Sequence, residues 1–257
     1  MSFNDLSASK LEKPVNDTRP HFKRILLKLS GEALTGDQSF GIDPSVLKTM
    51  VSEVSDIHEQ GVEVGIVIGG GNIFRGLQSE KLGVTRVSGD QMGMLATVIN
   101  AIALGDAFKN IGVASRVMSA LDIHGVVEPF VRQKAVHYLS GKHVVIFAAG
   151  TGNPYFTTDT AATLRALEID AQVLMKATNV DGVFDADPKL TVSARPFSFL
   201  THEEVLERNL RVMDLTAISL AREHGLPILV FDLGKTGNIR KAVSGQQIGT
   251  LITGEKS

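Results

Sequence analysis

Three short apolar runs each end on a glycine-bearing turn, and this pattern narrows the fold more than any other feature of the chain. Ile25-Leu26-Leu27 leads into Lys28-Leu29-Ser30-Gly31-Glu32, Val62 to Ile68 leads into Gly69-Gly70-Gly71-Asn72-Ile73-Phe74-Arg75, and Val144 to Ala149 leads into Gly150 to Asp159. A β-like run that stops at glycine and hands over to a helical pattern is the repeating unit of an α/β fold. Glycine lets backbone N–H groups come close to an anion, and a helix starting just beyond adds the positive end of its dipole. One such turn marks a candidate phosphate site. Three on one chain imply more phosphate than a single nucleotide carries, and so a donor and an acceptor held together.

The remaining pattern extends the alternation. Further strands are expected at Val113 to Met118, His143 to Ala149, Gln172 to Lys176, Ile228 to Phe231 and Ile248 to Ile252. Asp43-Pro44 opens a helix whose apolar positions Leu47, Met50, Val51, Val54 and Ile57 recur at helical spacing until Gly61. Helices are also expected over Gly89 to Lys109, Glu128 to Leu139, Thr158 to Glu168 and Met213 to His224. Thr201-His202-Glu203-Glu204 reads as a capping box, and Thr178 to Pro196 as surface loop or hairpin. These elements predict a mainly parallel sheet covered by helices. One domain with two lobes is expected over 21–257, behind a mobile, polar tail over 1–20.

Composition removes several function classes. The net charge of -2 and pI near 6.4 argue against general nucleic-acid binding. The chain has no cysteine, which excludes disulfides and thiolate metal sites and fits a reducing cytoplasm. No uninterrupted apolar run approaches the roughly 18 residues of a membrane helix, and the N-terminus lacks a secretory signal. The seven histidines show no metal-binding spacing, so no protein metal site is expected.

Individual residues admit a bland and a chemical reading. Lys28, at the end of an apolar strand, is either a lysine snorkelling to water or a cation for phosphate oxygens beside Ser30-Gly31. Gly69-Gly70-Gly71 is either a flexible loop tip or a phosphate cradle, with Arg75 able to fork onto phosphate oxygens. Asp159 is either a helix N-cap or the carboxylate that holds a cation such as Lys28 in register. Asp90 is either the cap that opens its helix or a ribose ligand. Phe184 and Asp187 are either part of a plain hairpin or contacts to a base and sugar. No segment matches G-x-G-x-x-G or G-x-x-x-x-G-K-[ST], which disfavours a dinucleotide fold and a P-loop NTPase.

Taken together, these segments resemble the bacterial UMP kinases of the amino acid kinase superfamily, from about Arg24 to Gly254. The resemblance is carried by Lys28 to Leu34, Val67 to Gly76, Gly89 to Thr97, Gly150 to Pro154, Lys176-Ala177-Thr178, Val180 to Val183 and Val212 to Leu215. It implies a three-layer αβα sandwich and transfer of a phosphoryl group from ATP, with Mg2+ held mainly by the nucleotide phosphates, to UMP. It also implies a homohexamer built as a trimer of dimers, with GTP activation and UTP inhibition in many members.

Residue by residue, the resemblance puts Lys28, Leu29, Ser30, Gly31, Gly71 and Arg75 on the ATP phosphates and Thr178, Phe184 and Asp187 on its adenosine part. It puts Gly70, Asp90, Thr151, Gly152, Asn153, Pro154, Tyr155, Phe156, Thr157 and Thr158 on UMP. Asp159 and Asp214 would organise the reacting centre, with Lys28, Lys176 and Arg75 carrying the charge load. The GTP segment maps to Gly36, Asp37, Gln38, Ser39, Phe40 and Gly41, with Arg116. Tyr155 stands where the family pattern has Phe, Asn179 where it has Lys, and Ser140 and His143 where basic residues are expected. The rivals are a non-catalytic nucleotide-binding protein on the same fold and a kinase for another small acid. Asp214, standing where acyl-phosphate kinases carry lysine, disfavours the second.

Overall fold

The computed structural model describes residues 19–75, 83–186, 190–191, 193–210 and 212–254. The expected tail falls outside the described residues except for Arg19 and Pro20, and Asp187 falls outside them as well. Among the described residues, nine strands form one sheet in the order β4-β3-β5-β2-β1-β6-β8-β9-β7. They are β1 Arg24–Leu29, β2 Glu63–Ile68, β3 Ser115–Ser119, β4 Glu128–Pro129, β5 Val144–Ala148, β6 Val173–Thr178, β7 Phe199–Thr201, β8 Ile228–Asp232 and β9 Thr250–Thr253. All pairings are parallel except β8 with β9. The sheet is thus mainly parallel, as expected.

Alternation along the strands builds two cores. Ile25, Leu27 and Leu29 of β1 point to one face with Val173 and Met175 of β6. Leu26 and Leu174 point to the other. The first face is covered by α1 Pro44–Glu59, α2 Arg86–Asn110 and α7 Asn238–Val243. The second is covered by α3 Arg132–Ser140, α4 Thr158–Glu168, α5 His202–Glu207 and α6 Leu215–Glu223. Burial on both faces explains why the strands read as continuous apolar runs.

Local chemistry sets the starts of α1, α4 and α5 where expected. Asp43 Oδ1 accepts from Ser45 N at 2.8 Å and Val46 N at 3.2 Å, and Pro44 follows at the first turn. Thr201 and Glu204 form the reciprocal capping box. Three readings are corrected. Thr85, not Gly89 or Asp90, caps α2 through Ser88 N, so the helix begins a turn earlier. The helix expected from Glu128 starts at Arg132, because Glu128–Pro129 pair with Met118 and Ser119 as an edge strand; Pro129 lacks an N–H and suits an edge. Helix α6 starts at Leu215, after Asp214, instead of at Met213. The strand β7, the helix α7 and a 3-10 turn over Gly31–Leu34 had no expectation. Helix α2 is long and apolar enough to cross a bilayer by composition alone. Here its Met94, Val98, Ala101, Leu104 and Phe108 pack into the first core.

Candidate active site

Two lysines meet at the carboxyl end of the central strands. In the parallel β1–β6 register Lys28 lies opposite Lys176. Alternation turns both toward α4, one step beyond Leu26 and Leu174. Lys28 is 8% exposed, so it does not snorkel into water. Its Nζ sits 2.9 Å from Asp159 Oδ1. Lys176 Nζ donates to Asp159 Oδ2 at 2.6 Å and to the Val212 carbonyl at 2.6 Å. Asp159 is therefore a bridge between two cations. The N-cap of α4 is Thr157, whose Oγ1 accepts from Asp159 N at 3.0 Å and Thr160 N at 3.3 Å.

The electrostatics follow from burial and charge. Burial acts to raise the Asp159 carboxyl, but the neighbouring Lys28 and Lys176 charges overcome it and hold it below the usual aspartate value. Burial pushes Lys176 below the usual lysine value, with help from the like charge of Lys28. Asp159 acts to raise it. Asp214 is a brace: it accepts from Thr157 Oγ1, from Thr160 Oγ1 at 2.8 Å and from Ala217 N at 3.0 Å, which ties the start of α6 to the start of α4.

The glycine turns are packed against each other. A Cβ on Gly31 would lie 2.6 Å from the Gly69 carbonyl oxygen, and one on Gly70 would lie 2.8 Å from Ala96 Cβ and from Gly93 O. Gly69 N also donates to Leu29 O at 2.9 Å. Glycine at 31, 69 and 70 thus lets two loops and a helix come into backbone contact, so the triplet is not a free loop tip. Gly71 has room for a side chain. Leu29 is fully buried in the core, so it positions the turn and brings no side chain to the site. Arg75 is half-exposed, 3.1 Å from Glu32 Oε1, and donates to Gly71 O at 3.2 Å.

Between the ends of β2 and β5, α2 and α4 frame a pocket of about 180 Å³. Of the expected acceptor residues, Gly70, Asp90, Thr151, Asn153, Phe156, Thr157 and Thr158 line it, with Gly71 beside them. Gly152, Pro154 and Tyr155 do not. The Tyr155 side chain is exposed, with the Arg86 guanidinium 5.8 Å from its ring centroid. Asp90 pairs with Arg86 Nε at 2.9 Å and accepts from Tyr155 N at 2.8 Å, which closes the rim. Phe74, Gly89, Gly93, Met94, Thr97 and Gly150 also line the pocket; they lie in the motifs that carry the resemblance but have no ligand role in the sequence reading. The i, i+4 spacing of Gly89, Gly93 and Thr97 was the available signal, since it marks one helix face that is smooth enough for a ligand.

On the other side of Lys176, Thr178 ends β6 and its Oγ1 accepts from Val180 N at 2.9 Å. Phe184 pairs with Pro196 across an antiparallel bridge and is half-buried. Segment 36–40 is exposed, with Phe40 projecting, and Gly41 N bonds Asn72 O at 2.9 Å. Arg116 lies on β3 with its guanidinium over the Tyr138 ring. Two buried ammonium groups and facing glycine loops beside an open polar pocket can gather phosphates and offset their charge.

Known proteins share this fold and much of this sequence. Residues 23–232 match the model of the amino acid kinase family. A uridylate kinase of Legionella pneumophila (strain Paris) is 52% identical over 240 residues, 93% of this chain and 97% of that protein. The crystal structure of UMP kinase from Bacillus anthracis superposes with a TM-score of 0.88 at 40% identity, covering 91% of this chain and 97% of that one. That of UMP kinase from Ureaplasma parvum gives 0.85 at 35% identity, covering 90% and 98%. The chain therefore belongs to the amino acid kinase family and, within it, to the uridylate kinases.

Proposed function

We infer that this chain transfers the γ-phosphoryl group of ATP to the phosphate of UMP, giving ADP and UDP for pyrimidine nucleotide supply. A UMP phosphate oxygen forms the new bond to the γ-phosphorus, and the bridging oxygen leaves with ADP. The acceptor oxygen is already an anion near neutral pH, so the site needs positive charge and alignment more than a strong base. The observation that carries the reading is the Lys28–Asp159–Lys176 cluster. It stands next to a polar pocket whose walls include the Gly70-Gly71 turn and the residues after β5. In this reading UMP occupies the pocket, with Asp90 and Thr151 to Thr158 around it. ATP enters over Ser30, Gly31, Gly71 and Arg75 toward Thr178 and Phe184, and Asp187 joins its adenosine side. The two halves act as acceptor and donor lobes of one domain.

Magnesium belongs to the substrate here, on phosphate oxygens and water. Both Asp159 oxygens face lysines, and those of Asp214 are taken by Thr157, Thr160 and Ala217, so neither residue fits a protein cage for the ion. The form of the assembly as a trimer of dimers and its place in the cytoplasm rest on the family resemblance alone, whereas self-association itself is supported by α2. Its Met92, Leu95 and Ile99 are 38%, 48% and 51% exposed and recur at i, i+3, i+7, an apolar stripe suited to a second copy. Effector control, with GTP at 36–41 and Arg116 and with UTP inhibition, is the finer part of the same reading; the bond from Gly41 N to Asn72 O supports a link from that segment to the glycine turn. A coupled assay of ATP with UMP, CMP, dUMP, uridine, glutamate and carbamate tests the core reading. Turnover is expected with UMP. Uridine, which lacks the nucleophilic phosphate oxygen, is expected to be inert; turnover of uridine would overturn the assignment.

A further inference from the structure

Helix α2 carries polar side chains sealed from water. Thr97 is 2% exposed, Asn100 is 0%, and Asn72, which faces them from the glycine turn, is 1%. Asn72 Nδ2 donates to Asn100 Oδ1 at 3.0 Å, and Asn100 Nδ2 donates to Asn72 Oδ1 at 2.7 Å. Each amide nitrogen has a second hydrogen. That of Asn100 goes to the Gly69 carbonyl at 2.7 Å, and that of Asn72 to the Gly41 carbonyl at 2.9 Å. Three residues before Asn100, Thr97 Oγ1 donates to Met94 O at 2.7 Å and accepts from Ala149 N at 2.7 Å. Ala149 and Gly150 have φ of 62° and 57°, so the backbone turns sharply there into the loop over the acceptor pocket. Polar groups in a core cost stability unless they are fully paired, and these are paired to the two loops that flank the pocket.

We propose that Thr97 and Asn100 are positioning residues for phosphoryl transfer, fixing from one face of α2 the spacing between the Gly69–Gly71 turn and the loop that begins at Ala149. Asn100 is fully buried and meets no substrate. Thr97 touches the pocket wall, but its hydroxyl hydrogen is given to Met94 and its oxygen receives Ala149 N. The two arms act on different parts of the reaction. Thr97 holds the acceptor loop alone, so its loss falls on UMP. Asn100 holds the turn that lies between donor and acceptor, so its loss falls on turnover. The proposal rests on the UMP kinase reading.

Thr97→Val is close in shape and removes both hydrogen bonds, whereas Thr97→Ser retains the hydroxyl. Thr97→Val is expected to raise KM for UMP about five- to tenfold, the worth of one net hydrogen bond, with KM for ATP within about twofold of the parent. Thr97→Ser is expected to stay within about twofold for both nucleotides. Asn100→Ala is expected to lower kcat by about tenfold or more with smaller changes in either KM, because misalignment of reacting phosphates acts on the chemical step. In nucleotide-free protein, amide exchange at Ala149 should be faster in Thr97→Val and parent-like in Thr97→Ser. An equal rise in both KM values, or an unchanged KM for UMP despite faster exchange, overturns the proposal. If Asn100→Ala does not fold, the Thr97 pair decides the matter. If the parent itself fails to phosphorylate UMP, the kinase reading falls, and the exchange result still shows whether Thr97 tethers the loop.

Discussion

At the scale of single residues, the site is governed by what two ammonium groups on adjacent strands require. Lys28 and Lys176 face each other across a parallel ladder, and like charges this close repel unless a carboxylate joins them. Asp159 does so, and its depressed pKa fixes the sign of the pH dependence. The stabilisation it brings is present above the ordinary aspartate range and is lost only as pH falls through its lowered value. Lys176 gives the opposite limb. Its pKa lies below the usual lysine value, so activity should decline on the alkaline side before an ordinary lysine would titrate. Because Asp159 acts to raise Lys176, Asp159→Asn should move that alkaline limb to lower pH in a profile of kcat against pH. A limb that stays in place would show that Lys176 does not carry it. Lys28→Ala should lower turnover by roughly 100-fold, since one missing donor to developing charge costs about 3 kcal/mol. Near-parent turnover in the folded variant would return Lys28 to a structural role.

At the scale of elements, the site is assembled from helix starts. Thr157 caps α4 and also donates to Asp214, which caps α6. The two caps are thus one clasp, and Asp159 emerges in the first turn of the helix that it holds. Asp214→Ala would lose the α6 cap and leave Thr157 and Thr160 without their acceptor. A fall of about 1–2 kcal/mol in stability is expected, read from the urea midpoint, together with a loss of turnover. Asp214→Asn keeps an oxygen for Ala217 N and should recover most of the stability. Equal losses in both variants would mean that the negative charge, and not the cap, is what the clasp needs. The long helix α2 has a second role as a wall. Its start supplies Asp90, which reaches Tyr155 N across the pocket mouth. Asp90→Asn should therefore raise KM for UMP more than KM for ATP; an equal rise would show a disturbance of the whole site.

At the scale of the whole molecule, the sheet order explains why the chemistry sits where it does. Strands β5, β2, β1 and β6 are neighbours, so the three glycine turns and Lys176 emerge side by side although they are spread from 28 to 176 in sequence. The apolar stripe of α2 is on the outside of this arrangement. If α2 carries the proposed contact between copies, replacing Leu95 and Ile99 together with Glu should lower the apparent mass on sizing, because charges do not pack in an apolar interface. A parent-like elution volume would move the contact surface elsewhere.

The sequence by itself determined the α/β class, the main strands and the caps of α1 and α5, because these depend on local periodicity and on side chains acting within a turn. It also marked Lys28, Gly70, Asp90, Asp159 and Lys176, since charge and glycine at the end of an apolar run are visible one residue at a time. The edge pairing of Glu128–Pro129, the short strand β7 and the tethers of Thr97 and Asn100 were decided only by the tertiary structure. A two-residue strand has no period, and its backbone pairs only because β3 lies beside it. Asn72, Asn100 and Gly69 are ordinary letters in a row, and their bonds exist because β2 and α2 bring residues far apart in sequence within hydrogen-bond reach. Asp159 with Lys28 was one of two readings open to the sequence; that Lys176 takes the other carboxylate oxygen depended on strand register, which a linear sequence does not carry.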